Sequence, residues 1–242
     1  MGNYLKLFKT EADYEAESNK PTVSHIIELV DIEIEVPEID TCEQYGYIDL
    51  GLPNGTLWAC KNIGAATETD AGLYFQWGDI QGYADGTSKN FDWSTYKYGV
   101  KDNYDTVNRG MTKYNGTDGK TILDDSDNAA KAILGGNWDM PTSTDFCYLK
   151  DNTNYQYTSI NGVSGYKFVS RTDNTKYLFI PAVGFYIGRN RYSTNECVYW
   201  YKEKSTTHIH AECNILKSTS FYCNDAANER RYGSPIRPLI RN

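Results

Sequence analysis

Residues 124–146, DDSDNAAKAILGGNWDMPTSTDF, decide the expected fold. The run DNAAKAIL follows acidic residues suited to cap a helix, and the two glycines after it, Gly135 and Gly136, are typical of a helix end. A second helical pattern, STDFCYLKDN, begins just after Pro141. The segment therefore predicts two short helices on either side of a tight turn that carries Trp138.

Outside this segment, the chain from Tyr45 onward predicts short strands and long loops. Loop-forming Gly, Asn, Asp and Thr alternate with aromatic residues in GLPNGTLWA (51–59), GLYFQWGD (72–79) and IPAVGFYIG (180–188). The expected fold class is α+β, loop-rich, with short strands and about two helices. We expect four tryptophans to fill the core: Trp58, Trp77, Trp138 and Trp200.

Residues 1–40 have a different texture. Acidic residues mix with β-branched runs, and IEIEV (32–36) alternates as a half-buried strand does. A short helix is predicted around residues 11–17, with Thr10 as its N-cap. We therefore divide the chain into an N-terminal segment, 1–40, and a larger domain, 41–242.

The charge and hydropathy of the chain exclude some classes of binding partner. The net charge is −8, and no Lys/Arg cluster is present, so a nucleic-acid partner is not expected. No window of 18 apolar residues and no apolar signal sequence occurs, so neither membrane insertion nor a signal peptide is predicted. The six cysteines form no CxxC pair, and reduced thiols are expected.

HIHAEC (208–213) contains two of the three histidines of the chain. Histidine and cysteine are zinc ligands, and an HxH pair on a strand places both rings on one face. The rest of the chain supplies no matching pair of ligands. We therefore expect His208 and His210 to point outward and Ile209 and Ala211 to face the core, with neither a metal nor a catalytic residue here.

The acidic residues 124–128 have two interpretations. Carboxylates bind Ca²⁺, but the twelve-residue EF-hand pattern with its glycine and terminal glutamate is missing. The favoured prediction is helix capping by Ser126 or Asp127.

Six motifs carry a family resemblance across residues 47–239. In order along the chain they are YIDLGLPNGTLWACKNIGA (47–65), AGLYFQWGD (71–79), residues 124–146, LFIPAVGF (178–185), YW (199–200) and YGSPIRPL (232–239). The chain resembles the paralogous domain that is abundant in Bacteroidetes and their phages. That domain is similar to the C-type-lectin-like fold of the formylglycine-generating-enzyme group, so the resemblance implies this fold.

The resemblance also implies a function. Domains of this kind serve as variable proteins of diversity-generating retroelements, in which adenine-directed mutagenesis rewrites Asn-type codons near the C-terminus. Residues 189–232 are the matching window, in which Lys202, Glu203 and Lys204 would be fixed positions. The binding residues expected there are Arg189, Asn190, Arg191, Tyr199, Tyr201, His208, His210, Tyr222, Asn224, Asn228 and Arg230.

The implied protein binds a ligand without chemistry and without a cofactor. Its expected partner is a host cell-surface protein or glycan, and its expected location is a phage virion or the bacterial cell surface. The resemblance makes residues 41–242 the C-type-lectin-like ligand-binding domain. The opening YLKLFKTEADYEAE (4–17) looks like that of Bacteroides-phage structural proteins, so residues 1–40 are expected to serve attachment or homo-oligomerisation.

Two alternatives remain. One is a carbohydrate-binding lectin or adhesin, either Ca-dependent or Ca-independent. The other is an oxidoreductase like the formylglycine-generating enzymes, which needs a reactive thiol pair; Cys197, Cys213 and Cys223 do not match its spacing.

Overall fold

A computed structural model describes residues 46–99, 110–223 and 226–241. All of them belong to the unit Asp40–Asn242. The strand and helix predicted within residues 1–40 lie outside the described residues.

The described chain consists of small antiparallel sheets and two α-helices, which confirms a loop-rich α+β fold. Two 3₁₀ turns, Trp93–Thr95 and Asp125–Asp127, precede the helices. The helices are α1 (Ala129–Leu134) and α2 (Ser143–Asn152). The strands are β1 (Tyr47–Ile48), β2 (Leu57–Ala59), β3 (Trp138–Asp139), β4 (Thr153–Ile160), β5 (Val163–Ser170), β6 (Tyr177–Pro181), β7 (Phe185–Ile187), β8 (Asn190–Tyr192), β9 (Trp200–Lys204), β10 (His210–Cys213), β11 (Ile215–Lys217), β12 (Ser220–Tyr222), β13 (Ala227–Glu229) and β14 (Leu239–Ile240).

Side-chain caps begin both helices. The side chain of Asn128 caps α1 by accepting from the backbone N–H of Lys131, and Gly135 ends the helix with a left-handed φ of 70°. The predicted caps Ser126 and Asp127 are therefore wrong by one or two positions, because both lie in the preceding 3₁₀ turn. In α2, Thr142 and Asp145 form a reciprocal capping box.

Long-range pairing joins the sheets. The C-terminal strand β14 lies between β2 and β3 in the order β1-β2-β14-β3. Strands β4, β5 and β6 form the most extensive meander, and β9, β10 and β13 form a third sheet. The remaining pairs are the hairpins β7–β8 and β11–β12.

Three of the four tryptophans predicted for the core have no exposed surface, namely Trp58, Trp77 and Trp200. Trp138 is half-buried, because β3 is an edge strand that, among the described strands, pairs only with β14. The prediction that Trp138 lies in the core is therefore wrong. The indole of Trp58 meets the ring of Phe146 of α2 edge-on, with the ring centroids 4.9 Å apart.

A disulfide joins α2 to the end of β12. Cys147 and Cys223 are bonded, with their Cα atoms 5.2 Å apart and a separation of 76 positions in the sequence. The prediction of reduced thiols is wrong for this pair, since a separation of this length leaves no local spacing to identify it. It is also wrong for Cys60, which is disulfide-bonded. Cys197 and Cys213 are free and buried. None of the described helices is long and apolar enough to cross a membrane.

Candidate ligand-binding surface

The β7–β8 hairpin presents the first part of the predicted window. Gly188, in its two-residue loop, has a left-handed φ of 61°, and Phe185 pairs with Tyr192 across the two strands. Asn190, Arg191 and Tyr192 are all exposed. The hairpin therefore holds a short row of exposed side chains on paired backbone.

Arginine side chains fix this hairpin to its surroundings. Arg191 donates from Nε and Nη2 to the carbonyl oxygen of Val183, at 2.8 and 2.6 Å. The same oxygen accepts the hydroxyl of Tyr74 at 2.9 Å. Arg189 donates to the carbonyl oxygens of Gly86 and Thr87 at 2.9 and 3.1 Å. These charge-assisted hydrogen bonds hold exposed side chains in one position.

Aromatic rings extend the surface beyond the hairpin. Phe185 lies between Tyr192 and Tyr232, with ring centroids 6.3 and 5.6 Å away and interplanar angles of 30° and 25°. The guanidinium of Arg231 lies 5.0 Å from the ring centroid of Tyr232 and forms an ion pair of 2.5 Å with Glu229. We call Tyr192, Phe185, Tyr232 and Arg231 the aromatic row.

Backbone pairing brings the row together. Tyr186 and Gly233 exchange backbone hydrogen bonds of 2.8 and 3.0 Å, which place the neighbouring Phe185 and Tyr232 side by side. Tyr192 is 45% exposed, whereas Phe185 and Tyr232 are half-buried. Tyr192 and Tyr232 lie inside the predicted window but are not among the predicted binding residues. Phe185 lies before the window, and its partner Tyr232 is distant in sequence.

The predicted binding residues divide by exposure. Four are exposed: Arg189, Asn190, Arg191 and Tyr222. Three are half-buried: His208, His210 and Asn228. Three are buried: Tyr199, Tyr201 and Arg230. Asn224 lies outside the described residues.

The expectation that Tyr199, Tyr201 and Arg230 are exposed is wrong, because each binds backbone oxygens inside the fold. The hydroxyl of Tyr199 donates to the carbonyl of Pro181 at 2.8 Å, and that of Tyr201 donates to the carbonyl of Cys223 at 2.9 Å. Arg230 donates to the carbonyls of His210 and Tyr114. The signal was present in the sequence: an unbroken apolar run, VYWY (198–201), is typical of a strand buried on both faces.

HIHAEC divides between a turn and a strand. His208 and Ile209 lie in the turn before β10, so the prediction that both histidines share one strand is wrong. Nδ1 of His208 is buried without a hydrogen-bond partner, and the ring packs against Gly116. Nδ1 of His210 lies 2.6 Å from Oγ1 of Thr207, and burial lowers the pKa of His210. Ala211 is fully buried, as predicted. Among the described residues, no three His, Cys, Asp or Glu side chains are grouped as metal ligands.

The acidic residues 124–127 bind lysines. Asp124 pairs with Lys113 and Lys120 at 2.7 and 2.6 Å. Asp127 pairs with Lys97 and Lys113 at 2.9 and 2.5 Å. Burial opposes ionisation of Asp127, but hydrogen bonds from Lys113 and neighbouring groups outweigh it and lower its pKa far below the usual range. Lysine amines therefore surround these carboxylates, together with the hydroxyl of Tyr114, which donates to Asp127 at 2.6 Å.

One small cleft lies elsewhere on the surface. It has a volume of about 230 Å³ and is lined by Lys131, Gly136, Asn137, Asp139 and Arg241. Its cations are paired, Lys131 with Asp125 at 2.8 Å and Arg241 with Asp139 and Asp145. The cleft therefore offers little unpaired charge to a ligand.

Neither a family model, nor a curated protein, nor a solved structure matches this chain.

Proposed function

We propose that this chain is a ligand-binding display protein with a C-type-lectin-like fold, and that it is the variable protein of a diversity-generating retroelement in a phage or prophage. The six ordered motifs support the fold, and the loop-rich α+β architecture agrees with it. The window 189–232 would be the surface that contacts a macromolecule on a host cell. Binding is the whole activity in this proposal, without a chemical step.

The observation that carries the proposal is the aromatic row, which begins on the β7–β8 hairpin and continues to Tyr232 and Arg231. Interface anchors are most often aromatic or arginine side chains, and they contribute most when binding costs little ordering. Tyr192, Arg189 and Arg191 meet both conditions, because they are exposed and their strand pairing or hydrogen bonds already hold them.

The structure changes which residues we assign to the ligand. Tyr199, Tyr201 and Arg230 are replaced by the aromatic row. The full set of proposed contacts is Arg189, Asn190, Arg191, Tyr192, Phe185, His208, His210, Tyr222, Asn228, Arg231 and Tyr232. Three of these are arginines, and Arg231 is already paired with Glu229, so Arg189 and Arg191 supply positive charge to this surface on a chain whose net charge is −8.

Binding to intact Bacteroidetes cells tests the proposal. We expect the labelled full chain to bind a susceptible strain and Tyr192→Ala to reduce binding about tenfold or more, the effect of removing an anchor. Ile133→Ala is the matched control, because Ile133 has the same exposed fraction, 45%, and lies on α1. Equal binding by the two variants would overturn the assignment of the surface.

The neighbouring DNA tests the retroelement part separately. A template repeat should differ from the gene at adenines, and the differences should fall in codons for exposed positions such as Asn190 and Tyr192. Codons for Tyr199 and Tyr201 should be unchanged, since these side chains are buried. Differences confined to codons outside 189–232 would refute diversification of this surface.

Carbohydrate binding is the second candidate, and the aromatic row favours it because sugar rings pack on exposed aromatic side chains. A glycan array with wild-type protein and Tyr192→Ala would identify such a ligand. Melting with Ca²⁺ and with EDTA separates the two forms of this candidate, since only a Ca-dependent lectin is stabilised by the ion. The oxidoreductase alternative has less support, because burial raises the pKa of Cys197 to about 12 and also raises that of Cys213.

A further inference from the structure

Strand β4 is the open edge of the sheet ordered β4-β5-β6. It is eight residues long and pairs with β5 without a shift in register from Thr153↔Ser170 to Ile160↔Val163. Among the described residues, no strand lies on its other side. A straight edge of this length is a template on which another strand can pair.

The hydrogen bonds of β5 show which groups of β4 point outward. Ser164 accepts from the N–H of Ala182, and the N–H of Ser170 donates to Lys176, so both serines direct their backbone groups away from β4. In an antiparallel pair the residues opposite them direct theirs away from β5. By this alternation, the backbone N–H and C=O groups of Tyr155, Tyr157 and Ser159 in β4 point away from β5. Each has one N–H and one C=O, and none of these groups bonds to another described residue.

The edge lacks the features that usually prevent pairing. Its sequence, TNYQYTSI, contains neither a charged residue nor a proline, and its pairing with β5 contains no bulge. Tyr155 is 41% exposed although its ring contacts Phe168 and Phe221, so the body of the protein does not cover the edge at this position.

We propose that β4 pairs with β4 of a second copy of this chain, antiparallel, about a two-fold axis at Tyr157. This register places Tyr157 opposite Tyr157 of the second copy and Tyr155 opposite Ser159. All six outward groups then form hydrogen bonds, and the two sheets join into one.

Two observations favour a second copy over a foreign strand. An antiparallel pair of identical strands is self-complementary about a two-fold axis, and two-fold symmetry is the commonest symmetry of soluble oligomers. The chain has a net charge of −8, and β4 is a stretch along which two copies meet without opposing like charges. This inference does not depend on the proposed ligand.

Charge substitutions on the exposed face of β4 test the pairing and its register. In the proposed dimer Gln156 lies opposite Thr158 of the second copy. Gln156→Lys with Thr158→Lys places like charges together at two symmetric points, whereas Gln156→Lys with Thr158→Glu places opposite charges there. We expect the first pair of substitutions to weaken the dimer about tenfold and the second to preserve or strengthen it.

The measurement is light scattering after size exclusion, on the full chain from about 1 to about 100 µM, which covers a micromolar Kd. Asn174→Lys, an exposed position in the β5–β6 turn, is the control for added charge alone. Circular dichroism and thermal melting establish that each variant is folded. A Lys/Lys variant that fails to fold is replaced by Gln156→Glu with Thr158→Glu, which opposes like charges at the same two points.

Hydrogen exchange gives a second readout. The amides of Tyr155, Tyr157 and Ser159 should exchange more slowly at dimer-forming concentrations, by a factor that follows the dimer population. A wild-type chain that stays monomeric overturns the inference and leaves the edge open to a strand of another protein. A dimer that is equally stable in both double variants also overturns it, since its interface would lie elsewhere.

Discussion

The guanidinium of Arg237 donates a hydrogen bond of 2.9 Å from Nη2 to the carbonyl oxygen of Phe179, and Arg237 has no exposed surface. Its other donors reach Oδ1 of Asn62 at 2.9 Å and the carbonyl of Ala59 at 3.0 Å. Burial lowers the pKa of Arg237 to about 10, so the side chain remains charged at neutral pH. One cation thus holds β2, β6 and the segment before β14 together through neutral oxygens.

Arg237→Met should therefore be strongly destabilising. Three buried oxygens lose their donors, and each unpaired buried group costs about 1–3 kcal/mol. We expect the free energy of unfolding to fall by about 3 kcal/mol or more, measured by urea denaturation. Arg189→Met, whose guanidinium also binds carbonyls but at the surface, should cost less than about 1 kcal/mol. Equal losses for the two variants would contradict this account.

The Cys147–Cys223 disulfide should contribute to stability through the unfolded chain. It closes a loop of 76 residues, for which the loss of chain entropy corresponds to about 4 kcal/mol. Replacement of both cysteines by serine should lower the free energy of unfolding by about this amount. Peptide mapping without reductant should recover the linked pair from the wild-type chain. A loss below about 1 kcal/mol would show that the bond adds little.

Gly184 should tolerate no side chain. It has a left-handed φ of 60°, and a Cβ there would overlap the backbone oxygens of Tyr192 and Ser193. Gly184→Ala should destabilise the protein by more than about 2 kcal/mol and displace the β7–β8 hairpin.

Gly162→Ala is the matched control for Gly184→Ala. Gly162 also has a left-handed φ, 81°, but a Cβ there meets no described atom within 4 Å. Gly162→Ala should lower the free energy of unfolding only by the penalty of a left-handed alanine, about 1 kcal/mol. Similar melting temperatures for the two variants would show that the close approach at Gly184 is unimportant.

His210 should make stability depend on pH. Burial lowers its folded pKa below the unfolded value near 6.5, so the unfolded chain binds the proton more readily. The contribution of this residue is complete above the unfolded pKa and is lost as the pH falls toward the folded one. His210→Gln should remove that part of the decline, seen by comparing urea midpoints of the two proteins from pH 7.5 to 5.5. Parallel curves would mean that His210 does not titrate differently on folding.

Local signals in the sequence predicted the helices well and the surface only in part. Helix ends depend on neighbouring residues, so Gly135 and the segment after Pro141 were sufficient to place α1 and α2. The aromatic row depends on the pairing of Tyr186 with Gly233, which no local pattern reveals. Trp138 and the Cys147–Cys223 bond were misjudged for the same reason, because each outcome is set by a partner distant in sequence.

The burial of Tyr199 and Tyr201 could be predicted from local sequence. Tyrosines in a window rich in polar residues suggested an exposed surface, but amphipathic side chains are equally suited to a core that offers a carbonyl to each hydroxyl. Hydrophobic neighbours on both sides were the better guide.

The shared carbonyl of Val183 gives the surface a margin for sequence change. Its oxygen receives the hydroxyl of Tyr74 as well as two N–H groups of Arg191, and burial raises the pKa of Tyr74 to about 12, so this hydroxyl stays protonated. When Arg191 is exchanged for another residue, Tyr74 still satisfies the oxygen. A substitution at position 191 would therefore leave the carbonyl of Val183 hydrogen-bonded. The backbone of the β7–β8 hairpin can thus accept different side chains at this position.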